Sequence, residues 1–167
     1  MNCCVEDLIT IAKDGVGYIE KASNNNLDSK TANAGNNNYA KYARDLDAIP
    51  GFYNREKQGF DWCDIFVDWC FAKAFGVDKA KRLLCQPPNS LGAGCKYSMR
   101  YYKNNGRFRI TPSVGDQIFF KNSSGTVCHT GIVYDVDNSY VYTIEENTSS
   151  SAGVVANGGC VRKNNIV

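Results

Sequence analysis

The chain has 167 residues, 43% hydrophobic and 12% aromatic, enough for one domain, spanning residues 1–167, with a real core. Its 19 basic and 17 acidic residues leave a net charge of +2, too small to argue for nucleic acid as a partner. No apolar run is long enough for a transmembrane helix, so membrane insertion is not expected.

Val5 to about Ala22 places apolar residues at spacings of three and four and predicts an amphipathic helix, weakened by Gly15 and Gly17. Ser23 to Asn38 is polar and asparagine-rich and reads as a loop. Asn38 to about Ile49 predicts a short helix, stopped by Pro50-Gly51. After a loop, an amphipathic helix is expected from Trp62 to about Phe75, with Gly76 as a left-handed stop. Asp78 is expected to cap a short helix through Leu84, and a further helix is predicted from Cys95 to Asn104. The character then changes. Strands are predicted at Gln117 to Lys121, His129 to Val136 and Tyr140 to Asn147, with a last strand or pair within Gly153 to Arg162. Helices followed by antiparallel strands predict an α+β fold.

Eight cysteines are too few for a disulfide scaffold, and most are expected to be buried thiols. There is no Cys-x-x-Cys, and one histidine limits metal ligation, so no metal and no cofactor are expected. The first residues carry no basic stretch, so a chain made in the cytoplasm without a secretory signal is expected.

Cys63 stands in the first turn of its predicted helix, where the helix dipole favours thiolate. Such a thiolate would be alkylated faster than the other seven cysteines. The competing reading is a core cysteine, like Cys70. If Cys63 is a nucleophile, its base can only be the single histidine, His129, at the start of an apolar strand. A hairpin turning near Asn138 brings His129 opposite about Glu146 to Asn147, while Glu145 and Asn147 share a strand face. A carboxylate there would orient the imidazole. Pairing alone leaves Glu145 and Glu146 both open for that role.

Four blocks occur in order: Trp62-Cys63-x-x-Phe66-Val67-x-Trp69-Cys70, Gly115-Asp116-x-x-x-Phe120, His129-x-Gly131-Ile132-Val133 and Thr143-Ile144-Glu145-x-Asn147. Together they resemble the CHAP family of cysteine, histidine-dependent amidohydrolases and peptidases, over roughly Val5 to Val161. The resemblance implies a papain-like or NlpC-like fold, N-terminal helices packed on an antiparallel sheet. It implies Cys63 as nucleophile, His129 as general base, Glu145 as the residue orienting the base and Asn147 as a further polar partner. Two positions depart from the usual pattern: Cys128 and Glu146 stand where glycine is common. Some family members bind calcium before the cysteine. Here that stretch is Asn54-Arg55-Glu56-Lys57-Gln58, whose one carboxylate and two cations make a poor oxygen cage, and no calcium site is expected.

The resemblance implies a monomeric peptidoglycan hydrolase of the phage or prophage endolysin type, acting on the bacterial cell wall. The bond cleaved, muramoyl-L-alanine amide or a stem or cross-bridge peptide bond, stays open. Trp62, Tyr53 and Tyr101 or Tyr102 are candidates for substrate-binding walls. The rival readings are a non-catalytic wall-binding module and a cysteine protease acting on proteins.

Overall fold

A computed structural model describes residues 4–148, the last two as backbone only, and 159–167. Among these residues the fold is α+β. Five helices, α1 (Val5–Asp14), α2 (Lys41–Asp47), α3 (Cys63–Phe75), α4 (Val77–Leu83) and α5 (Cys95–Asn104), precede four strands. The strands β1 (Gln117–Lys121), β2 (Val127–Val136), β3 (Val141–Thr148) and β4 (Cys160–Ile166) form one antiparallel sheet in chain order. Part of the predicted last strand, residues 153–158, lies outside the described residues.

α1 is shorter than its apolar period suggests. It ends at Asp14, and Gly17 takes a left-handed φ of 86° that turns the chain out of the helix. The next residues run extended, with Ile19 bridging Cys160 and Lys21 bridging Tyr39. The asparagine-rich stretch that follows is held by its own side chains. Asn33 Nδ2 donates to the carbonyl of Asn25 (2.8 Å) and to Ser23 Oγ (3.0 Å). Asn26, Asn33 and Asn38 all take positive φ, which asparagine tolerates better than most residues.

α3 is the centre of the molecule rather than an amphipathic surface helix. It packs against α1, α2, α4, α5 and the sheet, and nine of its 13 residues are buried, Asp64 and Asp68 among them. Both acids are tolerated because each is bonded. Asp64 accepts from Ser98 Oγ (2.7 Å) and Gln117 Nε2 (2.9 Å), and Asp68 accepts from Tyr53 OH (2.6 Å) and Gln86 Nε2 (2.7 Å). Burial still pushes both carboxyls up from the usual range, Asp68 the further. Gly76 ends α3 with φ 78° and ψ 156°, an extended mirror conformation rather than the expected left-handed helical one. It also serves as the N-cap of α4, the role expected of Asp78, which instead lies in the first turn.

The β2–β3 hairpin turns on Asp137, whose backbone N–H donates to the carbonyl of Tyr140 and whose carboxylate accepts from the N–H groups of Ser139 and Tyr140. Val136 pairs with Val141, so the turn is centred slightly beyond Asn138. A bulge at Tyr134 then takes up one residue and restores the predicted register, with Val133 opposite Thr143 and Gly131 opposite Glu145.

Candidate active site

His129 lies near the start of β2 at 1% exposure. Continuing the register places it opposite residue 147, so Glu145 is its diagonal neighbour on the same face. The side chains meet there: His129 Nε2 is 2.9 Å from Glu145 Oε2. Glu145 Oε1 accepts a hydrogen bond from Thr143 Oγ1, two residues back on the same face. Burial works against the Glu145 charge, but bonds from His129, Thr143 and Asn164 hold its carboxyl below the usual range. An ionised acceptor at Nε2 selects the tautomer with its proton there. That leaves Nδ1 as the lone-pair nitrogen, and Nδ1 is buried with no hydrogen-bond partner among the described residues. Phe120, opposite His129 on β1, covers the imidazole with a ring-centroid separation of 5.4 Å.

Two features make this geometry possible. Residue 131 is glycine, and a Cβ there would stand 2.6 Å from Glu145 Cγ and 2.8 Å from the Ile144 carbonyl oxygen. Strand alternation also turns Glu146 to the opposite face. Glu146 is fully buried, and neither carboxylate oxygen has a hydrogen-bond partner among the described residues. Burial first, then the negative charges of Glu20, Asp61, Asp64 and Glu145, push its carboxyl well above the usual range. Glu145 is therefore the carboxylate that holds His129.

Cys63 is the first residue of α3, as expected, with Trp62 as the N-cap. It is buried, and no hydrogen bond joins it to His129 among the described residues. Its thiol instead meets the thiol of Cys95, the first residue of α5. Sequence spacing gives no hint of this contact, beyond the fact that both cysteines open predicted helices. The acidified thiol expected from the helix start is not found. The hydrogen bond with Cys95, burial, and the nearby acid Glu146 hold the Cys63 thiol well above its ordinary range. The seven described cysteines are all free thiols; Cys63, Cys70 and Cys95 are buried, while Cys4 and Cys128 are exposed.

The remaining candidates separate. Trp62 is fully buried, packed against the rings of Tyr18 and Tyr42, with Nε1 donating to Glu20 Oε2 (3.4 Å). Tyr53 is buried with its hydroxyl on Asp68, and its ring lies where a Cβ of Gly92 would be, 2.2 Å away. Neither offers a face to a substrate; aromatic residue type alone does not say which way a ring points. Tyr101 is buried on α5 but lines a surface cavity, and Tyr102 packs on Phe119. Asn147 lies on β3, its side chain outside the described residues. In the stretch compared with a calcium loop, the Lys57 ammonium donates to Asn54 Oδ1 (2.8 Å). No cluster of three or more histidine, cysteine or acidic side chains suited to a metal ion occurs among the described residues, and no described helix is long and apolar enough to cross a membrane.

The family model of the CHAP domain matches residues 55–147, more than half of the chain and narrower than the span expected from the motifs. No curated protein and no solved structure matches the chain significantly. The matched segment runs from just before α3 through the end of the Glu145 strand, and so contains Cys63, His129 and Glu145. The chain belongs to the CHAP family, whose members are generally cysteine, histidine-dependent amidohydrolases and peptidases acting on peptidoglycan.

Proposed function

We propose that this protein is a peptidoglycan hydrolase that cleaves an amide bond through a Cys63 acyl-enzyme. The observation that carries the reading is the state of His129. Its Nε2 is held by an ionised Glu145, and its Nδ1 is left buried and unpartnered among the described residues, as a general base needs. In the proposed reaction Nδ1 takes the Cys63 proton as sulfur attacks the substrate carbonyl, forming a tetrahedral intermediate. The imidazolium, stabilised by Glu145, returns the proton to the leaving amine. Water, deprotonated by the same nitrogen, then releases the acyl group and restores the thiol. The first helical bond of α3 is Phe66 N–H to the Trp62 carbonyl, so the earlier N–H of Cys63 is available to the oxyanion.

The bond is either the muramoyl-L-alanine amide or a stem or cross-bridge peptide bond. A lysin of phage or prophage origin, acting on the wall of a Gram-positive host, is the finer proposal. It rests on the motif resemblance, with Tyr18 and Tyr42 of the N-terminal segment serving as core residues. Mass analysis of purified peptidoglycan digested by the parent and by Cys63→Ala tests the reading. New amine termini are expected from the parent alone and identify the bond. Equal release by Cys63→Ala would overturn the proposal, and cleavage of protein substrates with intact peptidoglycan would move the chain to the protease reading.

A further inference from the structure

α5 begins with Cys95, beside Cys63, and ends at the surface cavity lined by Tyr101, of about 730 Å³. At 1.5 Å per residue its ten residues span about 15 Å. The cavity is lined by Lys81, Arg82, Arg100, Arg107 and Tyr101, and no acidic residue lines it. Lys81 is committed, its ammonium donating to the carbonyls of Phe52 (2.7 Å) and Gly51 (3.0 Å). The three arginines are less committed, although the Arg100 guanidinium lies over the Tyr97 ring, 5.4 Å from its centroid. Arg44 and Arg109 each meet a carboxylate, at 2.7 and 3.0 Å, but Arg82, Arg100 and Arg107 make no ion pair among the described residues. Among the described residues, the only hydrogen bond from these three guanidiniums runs from Arg107 Nη1 to the Arg82 carbonyl (3.5 Å).

Helix dipoles account for part of this charge. Arg82 stands in the last turn of α4, where a cation is favourable. Arg107 reaches the same helix end through its bond to the Arg82 carbonyl, so only Arg100, mid-helix on α5, is not placed by that effect. The three exposed guanidiniums, with no acidic residue in the cavity lining, repel one another modestly through solvent, and an anion entering the concavity relieves that repulsion.

We propose that this cavity is an anion subsite that takes a phosphate group of an anionic wall polymer. A carboxylate offers two oxygens and is satisfied by one guanidinium fork, whereas a phosphate presents more acceptors in a tetrahedral array and suits several forks. The separation from Cys63, about the length of α5, lets one polymer strand occupy the cavity while the wall lies at the reactive centre. The wall as setting rests on the proposed function; anion binding by the cavity does not.

The test uses the full chain carrying Cys63→Ala, so that binding is read without turnover. Its affinity for linear polyphosphate and for inorganic phosphate is measured by calorimetry at two salt concentrations. Saturable polyphosphate binding is expected, weakened at least tenfold in Arg100→Ala/Arg107→Ala and with a shallower salt dependence. A control pair, Lys13→Ala/Lys163→Ala, removes the same charge outside the cavity lining and is expected to change affinity less than threefold. Equal weakening in both pairs would reduce the effect to net charge and overturn the subsite. Inorganic phosphate binding as tightly as the polymer would overturn the polymer assignment. Retention on walls is then compared before and after acid removal of phosphate polymers. A loss of retention that matches the arginine variant supports the proposal. Full retention on stripped walls, still sensitive to the arginine pair, would assign the cavity to stem-peptide carboxylates instead. None of these readouts requires hydrolysis, so the subsite and the catalytic reading fail separately.

Discussion

Gly131 and Glu145 face each other across the β2–β3 pair, and the volume that a side chain at 131 would fill is occupied by Glu145 Cγ. The glycine is thus what lets Glu145 lean along the sheet to reach His129 two positions away. Gly131→Ala places a Cβ 2.6 Å from Cγ and 2.8 Å from the Ile144 carbonyl oxygen, and the backbone on that side cannot yield easily. Glu145 is then displaced and the 2.9 Å bond to His129 lost. A loss of stability of about 1–3 kcal/mol is expected from overpacking, together with a fall in kcat well beyond what the lost folded fraction accounts for. Denaturant melts and peptidoglycan turnover on the same samples separate the two effects. A destabilised variant with parental kcat per folded molecule would show that the Glu145–His129 bond does not matter.

The two adjacent glutamates are expected to behave oppositely. Glu145→Gln keeps an oxygen near Nε2 but loses the charge, and its amide can donate instead, moving the imidazole proton to Nδ1. The base then sits in the wrong tautomer, and a loss of about 10²–10⁴-fold in kcat is expected, the range for removing a positioned acid–base group. His129→Ala is expected to abolish turnover, since no other histidine exists. Glu146→Gln is expected to lose less than tenfold. Similar losses in both glutamine variants would refute the separate roles given to the two faces of β3.

How far the sequence revealed this arrangement depends on the range of the interaction. α5 and β1 have the bounds that periodicity predicts, and the His129–Glu145 approach follows from a two-residue repeat and a short hairpin. The register agreed because two small shifts cancelled, the turn beyond Asn138 and the bulge at Tyr134. Longer-range features were hidden. Asp64 and Asp68 look like the solvent face of an amphipathic α3, yet partners from β1, α5 and distant loops satisfy them in the core. Trp62 and Tyr53 face inward for the same reason. The Cys63–Cys95 contact depends on how two helices meet, which no local pattern encodes.

Glu145 and Glu146 also predict opposite responses to pH. The Glu145 carboxyl is held below its unfolded value, so its contribution to stability is present above the ordinary carboxylate range and lost as pH falls through the lower folded value. Glu146 is held above its unfolded value. Its contribution is full below the ordinary range and declines as pH rises toward the folded value, because unfolding then lets the carboxyl ionise in water. Glu146→Met removes a buried group with no partner, and a gain of about 1–3 kcal/mol is expected at neutral pH, shrinking toward pH 4. Thermal melts of the parent and this variant from pH 4 to 8 check it. A gain that is constant across the range would mean that Glu146 titrates alike in the folded and the unfolded chain.

The Cys63–Cys95 contact predicts the order in which thiols react. A cysteine activated at a helix start would be the first labelled, but Cys63 is buried and its proton is retained by Cys95, by burial and by nearby Glu146. In the resting parent at neutral pH, iodoacetamide is expected to label exposed Cys4 and Cys128 ahead of Cys63. Cys95→Ala removes the largest of the influences holding the Cys63 proton, so the alkylation midpoint of Cys63 is expected to move to lower pH. Burial remains, so the midpoint stays above that of an exposed thiol. Peptide mass spectrometry after timed labelling from pH 6 to 10 resolves each site. Cys63 reacting first in the parent would mean that its thiolate is already formed at rest, and an unchanged midpoint in Cys95→Ala would show that the two thiols do not share a proton.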